Sequence, residues 1–443
     1  MLTTLDLRGR AWSRAELLAV VPRAGVEVSD AREAAAALID EVRERGSAAL
    51  IDQAERFDRV RPAQLRVPKS VIDAAVAALE PELRQAVEQS ILRVRAASAA
   101  QVPAPQRTEL ATGAVIDQRW QPVDRVGVYV PGGKAIYPST VVMSVVAAQV
   151  AGVPSIALAS PAQAEYGGGV HPLVLGVAGL LGITEVYAMG GAGAIGAFAY
   201  GVADLGLEPV SVVTGPGNVF VAAAKRVVAG VVGTDAEAGP TDILVIADAS
   251  ANPRWVAADL LSQAEHDELA AAVLVTSDEA WGESVRAEVA AQAAATPHSE
   301  RVSMALGGSQ SALVLVDDLQ QAIDFANAFA PEHLEVQLTD PEPVLAKLSN
   351  AGVIFVGGSS PVALGDYLAG SNHVLPTGGQ ARYRSGLSAA TFLKSQQVVR
   401  YEAEGLAAVA SVIERFAAAE GLPAHAAAIS IRHEDHAASR VGE

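Results

Sequence analysis

Val126-Gly127-Val128-Tyr129-Val130-Pro131-Gly132-Gly133 decides the fold. Residues 126–130 form an apolar run that reads as a buried strand, and Pro131-Gly132-Gly133 reads as a turn. An apolar helix follows over 139–151. The same unit recurs downstream. Strands are expected over 155–159, 185–188 and 210–213, with helices over 172–181, 192–201 and 219–229. Strands that are apolar throughout and alternate with helices argue for a parallel sheet covered on both faces.

The pattern continues beyond a glycine turn. Strands are expected over 243–246, 272–276, 311–316 and 352–356, with helices over 253–271, 279–294 and 319–330 and a short extended piece over 333–337. Gly352-Val353-Ile354-Phe355-Val356-Gly357-Gly358 resembles the opening stretch, a hint of two related α/β halves. Upstream, residues 1–28 read as a short arm. Residues 29–102 read as helices over 31–45, 47–57, 69–79 and 81–100 with charged outer faces. Residues 113–120 alternate in a β pattern. The tail holds a helix over 405–420, then Pro423 and a charged end.

The 443 residues are too many for one core, and two to four domains are expected. A net charge of -18 argues against nucleic acid or an anionic membrane as partner. No apolar run is long enough to span a membrane, and the charged N-terminus lacks a signal peptide's apolar core, so a cytoplasmic protein is expected. The chain has no cysteine, which excludes disulfides, thiolate zinc sites, iron–sulfur clusters and a thiol nucleophile. Any metal must be held by His, Asp, Glu, Gln or Asn.

The polar residues that stand out are few. In Leu261-Ser262-Gln263-Ala264-Glu265-His266-Asp267, Gln263 and His266 are three apart and are expected on one face of the 253–271 helix. Glu332-His333 sets a carboxylate beside an imidazole at a helix end, where an ordinary acid–base pair is the plainer reading. Asp366 and His373 fall in a glycine-punctuated loop after a buried strand, the usual place for a site in an open α/β sheet, or simply a turn held by Asp and Asn. His425 follows a helix broken by Gly421 and Pro423. His298, His433 and His436 read as solvated surface, and His171 as a helix cap. Taken together, Gln263, His266, Asp366 and His425 make a mixed nitrogen and oxygen set suited to Zn²⁺.

Two glycine motifs bear on a nucleotide. Gly191, Gly193 and Gly196 match the dinucleotide fingerprint, but the acid expected about twenty residues on is missing: Asp204 and Glu208 come early, and the next is Asp235. Gly215-Pro216-Gly217-Asn218 precedes a helix start and suits phosphate or ribose contacts.

The segments LSQAEHD, APEHLE, GDYLAGSNHVLPTGG, EGLPAH, GVYVPGG and GPGNVFVAAAKR resemble the histidinol dehydrogenase family, in that family's order, over residues 5–431. The resemblance implies a zinc-dependent homodimer that oxidises L-histidinol through L-histidinal to L-histidine with two NAD⁺, the final step of histidine biosynthesis. It implies zinc ligands Gln263, His266 and Asp366, with His425 from the partner subunit, and Glu332 and His333 as the acid–base pair. Substrate contacts would come from Thr241, Gln263, His266, His333, Asp366, His373, Glu420 and His425, and NAD contacts from Tyr129 and Asn218. The implied architecture is two incomplete Rossmann-like α/β domains, 29–128 with 239–382 and 129–238. An N-terminal arm, 1–28, and a dimerising segment, 383–443, complete it.

The chain departs from the family at Gly193, where Gln is usual and contacts the nucleotide, and at Ser144, where Asn is usual. Thr241 and Asp242 replace the commoner Ser and Glu. Two alternatives stand beside this reading: a paralogue oxidising another polar alcohol, such as a sulfonated diol, and a zinc-binding dimer without turnover. With no cysteine, water must add to the aldehyde directly. Glu332 is then the expected water-activating base and His333 the base for the alcohol.

Overall fold

The apolar runs pair into two parallel sheets in a computed structural model that describes residues 2–24, 28–132, 136–236 and 239–441. Gly133 and the side chains of His433 and His436 lie outside the described residues. The five-stranded sheet has the order Val186–Ala188, Ile156–Ser160, Val126–Tyr129, Val212–Thr214, Gly233–Thr234. The chain builds outward on one side of Val126–Tyr129 and then returns to the other. The direction of winding therefore reverses between Val126–Tyr129 and Val212–Thr214, and a crevice opens outside the carboxyl ends of such strands.

The six-stranded sheet has the order Thr3–Asp6, Ala312–Leu315, Ala271–Thr276, Asp242–Ala247, His333–Gln337, Val353–Val356, with every neighbouring pair parallel. Successive strand residues point to opposite faces. Val245, Leu274 and Leu313 enter one core with Leu260, Val285 and Leu306. Their neighbours Leu244, Val273 and Val314 enter the other with Phe325 and Phe329. Both faces are dry, which is why these strands read as unbroken apolar runs. Each fully buried Val or Leu contributes roughly 1.5–3 kcal/mol.

The structure corrects the sequence reading in several places. Thr3–Asp6, expected within an arm, is the edge strand along Ala312–Leu315; four residues with one face in solvent carry little periodic signal. The helix expected over 253–271 is Pro253–Ala264, and the chain then turns to enter the strand at Ala271. His266 therefore lies past the helix end, not on its face. Residues 29–128 were expected with the six-stranded sheet, yet the helix Val28–Arg45 packs on Gly191–Tyr200 and Val219–Val228. Its Ala35, Ile39 and Val42 share a core with Tyr129, Phe198 and Val213 of the five-stranded side.

The chain divides into two compact units. Both parallel sheets belong to the first, which runs through Gln101 and resumes over Val123–Phe392. The second comprises Val102–Pro122 and the chain from Leu393 on, so the segment expected over 383–443 begins later and recruits a piece from far upstream. Its antiparallel sheet has the order Leu393–Tyr401, Ala114–Pro122, Gln106–Ala111. The strand Leu393–Tyr401 was not expected, because its polar run Lys394-Ser395-Gln396-Gln397 hides the alternation. The helices Ala403–Ala419 and Pro423–Val441 pack on each other. Val412, Phe416, Leu422 and Ile431 of this unit are exposed.

Gly127 tests the close packing of the five-stranded core. A Cβ there would lie 2.6 Å from the ring of buried Phe198. Gly127→Ala is expected to destabilise the protein by about 1–3 kcal/mol, read as a lower urea midpoint. An unchanged midpoint would contradict this packing.

Candidate functional site

The site grows from the amino ends of two adjacent parallel strands. Register places His333 beside Ile243 on one side and Val353 on the other. Thr241-Asp242 and Glu332-His333 thus meet at the N-terminal edge of the six-stranded sheet. The sequence reading looked to the carboxyl side, after the strand Val353–Val356. Instead the helix Val362–Tyr367 carries the chain back. Asp366 then lies within electrostatic reach of His333 and His266, and Leu375 and Pro376 reach Gly352 just ahead of that strand.

A chain of hydrogen bonds joins these groups. The Gln263 amide N–H donates to the Thr241 hydroxyl, which donates to Glu332 Oε2. The Asp242 backbone N–H donates to the same oxygen at 3.1 Å, and the Glu332 N–H donates to Asp242 Oδ1 at 2.6 Å. Among the described residues, the bonds to the Glu332 carboxylate fall on Oε2, so Oε1 keeps its lone pairs for another donor. His333 Nδ1 lies 3.1 Å from the Asp242 carbonyl. A carbonyl only accepts, so Nδ1 carries the proton and Nε2 presents a lone pair. Phe355 stacks against the ring at 6.3 Å between centroids.

Burial sets the charges. It pushes Glu332 up to about 7 against the lowering hydrogen bonds of Thr241 and Asp242, with Asp366 adding repulsion. It also pushes Asp242 up to about 7, helped by Glu332. Burial lowers His333, outweighing the pull of Asp366, and keeps it a neutral base. Asp366 is the reverse case. Burial opposes its charge, but the His373 hydrogen bond and the charges of His373, His333 and His266 hold it below the usual range.

His266, Gln263 and Asp366 are poised as donors. His266 Nδ1 bonds the Ser262 carbonyl at 3.0 Å, which fixes the tautomer and frees Nε2, the arrangement common in metal-bound histidines. Gln263 spends its N–H on Thr241, leaving the amide oxygen. Asp366 stays ionised and lies 3.5 Å from His373 Nδ1. Glu420 and His425 fall in the second unit, both exposed, flanking the turn between its two helices. Among the described residues, no three His, Asp or Glu side chains converge as a metal cluster. Only His266 and Asp366 of the expected ligands in the first unit are of those types.

Sequence reasoning missed Thr140, whose hydroxyl bonds His373 Nε2 at 3.1 Å. Thr140 opens the helix Pro138–Val150 that follows the strand Val126–Tyr129. With Asn372, which donates to the Met143 carbonyl at 2.9 Å, it ties the loop of Asp366 and His373 to the five-stranded side. Nothing in the sequence pairs an N-terminal threonine of an apolar helix with a histidine more than two hundred residues on.

At the reversal point of the five-stranded sheet, Tyr129 is buried and its hydroxyl accepts the Gly191 N–H at 3.2 Å. Burial pushes it up to about 12. Asn218 caps the helix Val219–Val228, its Oδ1 accepting from Phe220 and Val221, and its side chain is otherwise exposed. Gly193 faces Gln53: a Cβ there would lie 2.1 Å from Gln53 Oε1. Gly215, at φ +119°, would drive a Cβ to 1.9 Å from the Tyr129 carbonyl oxygen, so only glycine fits. Behind it, buried Lys225 pairs with Asp235 and donates to the Gly215 carbonyl at 2.5 Å. Asp235 accepts from Thr214 and from the Gly215 N–H. Lys225 shares the stripe of Val221 and Val228, a helical spacing that would have marked it as buried. His171 is a cap as expected, accepting the Leu173 N–H at 3.1 Å.

A model of the family described as histidinol dehydrogenase matches residues 21–433. The histidinol dehydrogenase of Leifsonia xyli subsp. xyli is 62% identical over 98% of this chain and 100% of its own length. That of Thermobifida fusca is 52% identical over 98% of both. The crystal structure of histidinol dehydrogenase from Elizabethkingia anophelis superposes with a TM-score of 0.92 at 34% identity, covering 98% of each chain.

The Lys225–Asp235 pair makes a direct test of the Gly215 turn. Lys225→Met alone strands a buried carboxylate and is expected to cost about 3–5 kcal/mol. The pair Lys225→Met with Asp235→Asn, which removes the charge and keeps an acceptor for Thr214 and Gly215, is expected to recover most of that loss in urea titrations. A double variant as weak as the single one would contradict the pairing.

Proposed function

The chain belongs to the histidinol dehydrogenase family, a family of oxidoreductases, and from that premise we propose that it oxidises L-histidinol through L-histidinal to L-histidine with two NAD⁺. The observation that carries the reading is the buried Glu332, held through Oε2 alone beside a neutral His333 whose Nε2 is free. Two adjacent bases with separate tasks suit two oxidations with a hydration between them.

His333 Nε2 takes the carbinol proton as the alcohol is oxidised to the aldehyde. Glu332 Oε1 then takes a proton from water as its oxygen adds to the aldehyde, and protonated His333 gives its proton to the carbonyl oxygen, which forms the hydrate and leaves His333 neutral again. His333 takes the hydrate's hydroxyl proton in the second hydride transfer, and the product is the carboxylic acid. A carboxylate near 7 is a competent base at neutral pH. When bound, NAD⁺ would supply the hydride acceptor, and Tyr129, Gly191 and the Gly215–Asn218 turn would line its site at the reversal point. Gly193 presents no side chain to it, the nucleotide contact made by Gln elsewhere in the family being absent.

Zinc fits the donor set of the Gln263 amide oxygen, His266 Nε2 and ionised Asp366, completed by His425 of the partner subunit. When bound it would anchor the amine and imidazole of histidinol and so orient the carbinol carbon. Thr241 and His373 line the same edge, and Glu420 of the partner subunit would reach the imidazole's far nitrogen. The exposed apolar residues of that unit support a homodimer. No helix among the described residues is long and apolar enough to cross a membrane, in keeping with a cytoplasmic setting.

Three outcomes test this reading. Glu332→Gln is expected to release one NADH and accumulate aldehyde, with aldehyde oxidation slowed about 10²–10⁴-fold; near-normal aldehyde turnover would remove Glu332 from the water step. The aldehyde half-reaction of the parent is expected to rise with pH through about 7 as Glu332 ionises. Thr241→Val removes a bond that favours the ionised form and moves that limb to higher pH; an unmoved limb would contradict the assignment. Mixing His425→Ala and Glu332→Gln dimers, each expected to form almost no L-histidine alone, is expected to restore about a quarter of parental L-histidine formation, because half the dimers then carry one intact shared site. No recovery after subunit exchange would place each site within one chain.

A further inference from the structure

On the strand His333–Gln337, alternate residues share a face. Leu334 and Val336 enter one apolar core, so His333, Glu335 and Gln337 turn to the other, where the helix Pro253–Ala264 lies. That helix presents Asp259 and, one turn on, Gln263. A buried polar seam therefore leads away from the candidate site into the protein. Glu335 is 1% exposed, Gln337 5% and Asp259 8%.

The two carboxyls meet each other and one amide. Gln337 holds Asp259 and Glu335 to one amide nitrogen, and the two carboxyls interact electrostatically. The Gln337 amide N–H donates to Glu335 Oε2 at 3.0 Å and to Asp259 Oδ2 at 3.4 Å. Glu335 Oε1 accepts the Val362 N–H at 2.9 Å. Val362 begins the short helix that carries Asp366 one turn later. Among the described residues, no cation acts on either carboxyl. Two buried carboxyls held on one amide without a cation disfavour ionising together.

We propose that Asp259 and Glu335 share one proton and act as positioning residues, locking the helix of Gln263, the strand of His333 and the helix of Asp366 to one another. The metal arm of this inference rests on the reading of Gln263 and Asp366 as ligands. Burial and the mutual repulsion of the two groups push Glu335 above the usual carboxylate range, and burial pushes Asp259 up as well. The pair holds its proton at neutral pH, and its stabilisation is lost as pH rises through the raised value.

The first test needs no metal and no substrate. Glu335→Gln cannot ionise, so the melting temperature of the metal-free variant relative to the parent should gain about 2 °C or more between about pH 6 and about pH 9. A flat difference would mean Glu335 is already ionised, and would overturn proton sharing. The second test separates position from packing. Glu335→Gln keeps an acceptor for Val362 and should bind zinc within about threefold of the parent, whereas Glu335→Leu should lose about tenfold or more. Equal zinc affinity in all three would overturn the positioning role. Absence of zinc binding by the parent itself would count against the metal reading, and the unfolding test would still decide the shared proton.

Discussion

The Glu332 carboxylate, buried and gripped through one oxygen by Thr241 and Asp242, is the constraint on which the site depends. It staples the amino ends of two parallel strands that are ninety residues apart in sequence. Because both protein bonds fall on Oε2, the other oxygen is left for chemistry. Because burial dominates, the group stays near neutrality in its proton affinity instead of titrating as a surface acid. The Asp242 carbonyl fixes the His333 tautomer by the same local geometry. One strand start thus supplies two backbone contacts and two side chains to the acid–base pair.

The arrangement inverts the usual rule for one of the two sheets. The five-stranded sheet offers the carboxyl ends of its strands at the reversal point, with Tyr129 and the Gly215 turn in place. The six-stranded sheet offers amino ends. Thr140 and Asn372 are the hydrogen bonds that join the two sides, between the helix following Tyr129 and the loop of His373. Within the first unit, the proposed nucleotide side and the proposed acid–base side are thereby hydrogen-bonded to each other. A buried seam of Gln263, Asp259, Glu335 and Gln337 continues that polar edge into the core, where the Gln337 amide nitrogen serves both carboxyls and its oxygen is left without a partner among the described residues.

Much of this was legible in the sequence. Apolar runs punctuated by glycine give both parallel sheets, since strands dry on both faces leave no alternation to misread. The polar motifs gave Glu332, His333, Asp366 and His373, and the structure brings these together with Thr241, Gln263 and His266. Other features were not legible for physical reasons. Thr3–Asp6 is too short to show a period. The helix of Gln263 stops at Ala264 because the chain must turn into a strand at Ala271, a tertiary demand. Which sheet edge carries Asp366 depends on a six-residue helix reversing the chain. Lys225 went unmarked in the sequence reading, although its spacing with Val221 and Val228 puts it on the buried stripe of its helix.

The central claim is that two bases at one strand edge carry a four-electron oxidation without a cysteine. It is tested most directly by counting NADH formed per L-histidinol consumed by the zinc-loaded dimer, with the product identified. The account predicts two NADH for each L-histidinol, with L-histidine formed and no aldehyde released. One NADH with free aldehyde, or no NADH from a dimer that holds zinc, would contradict it.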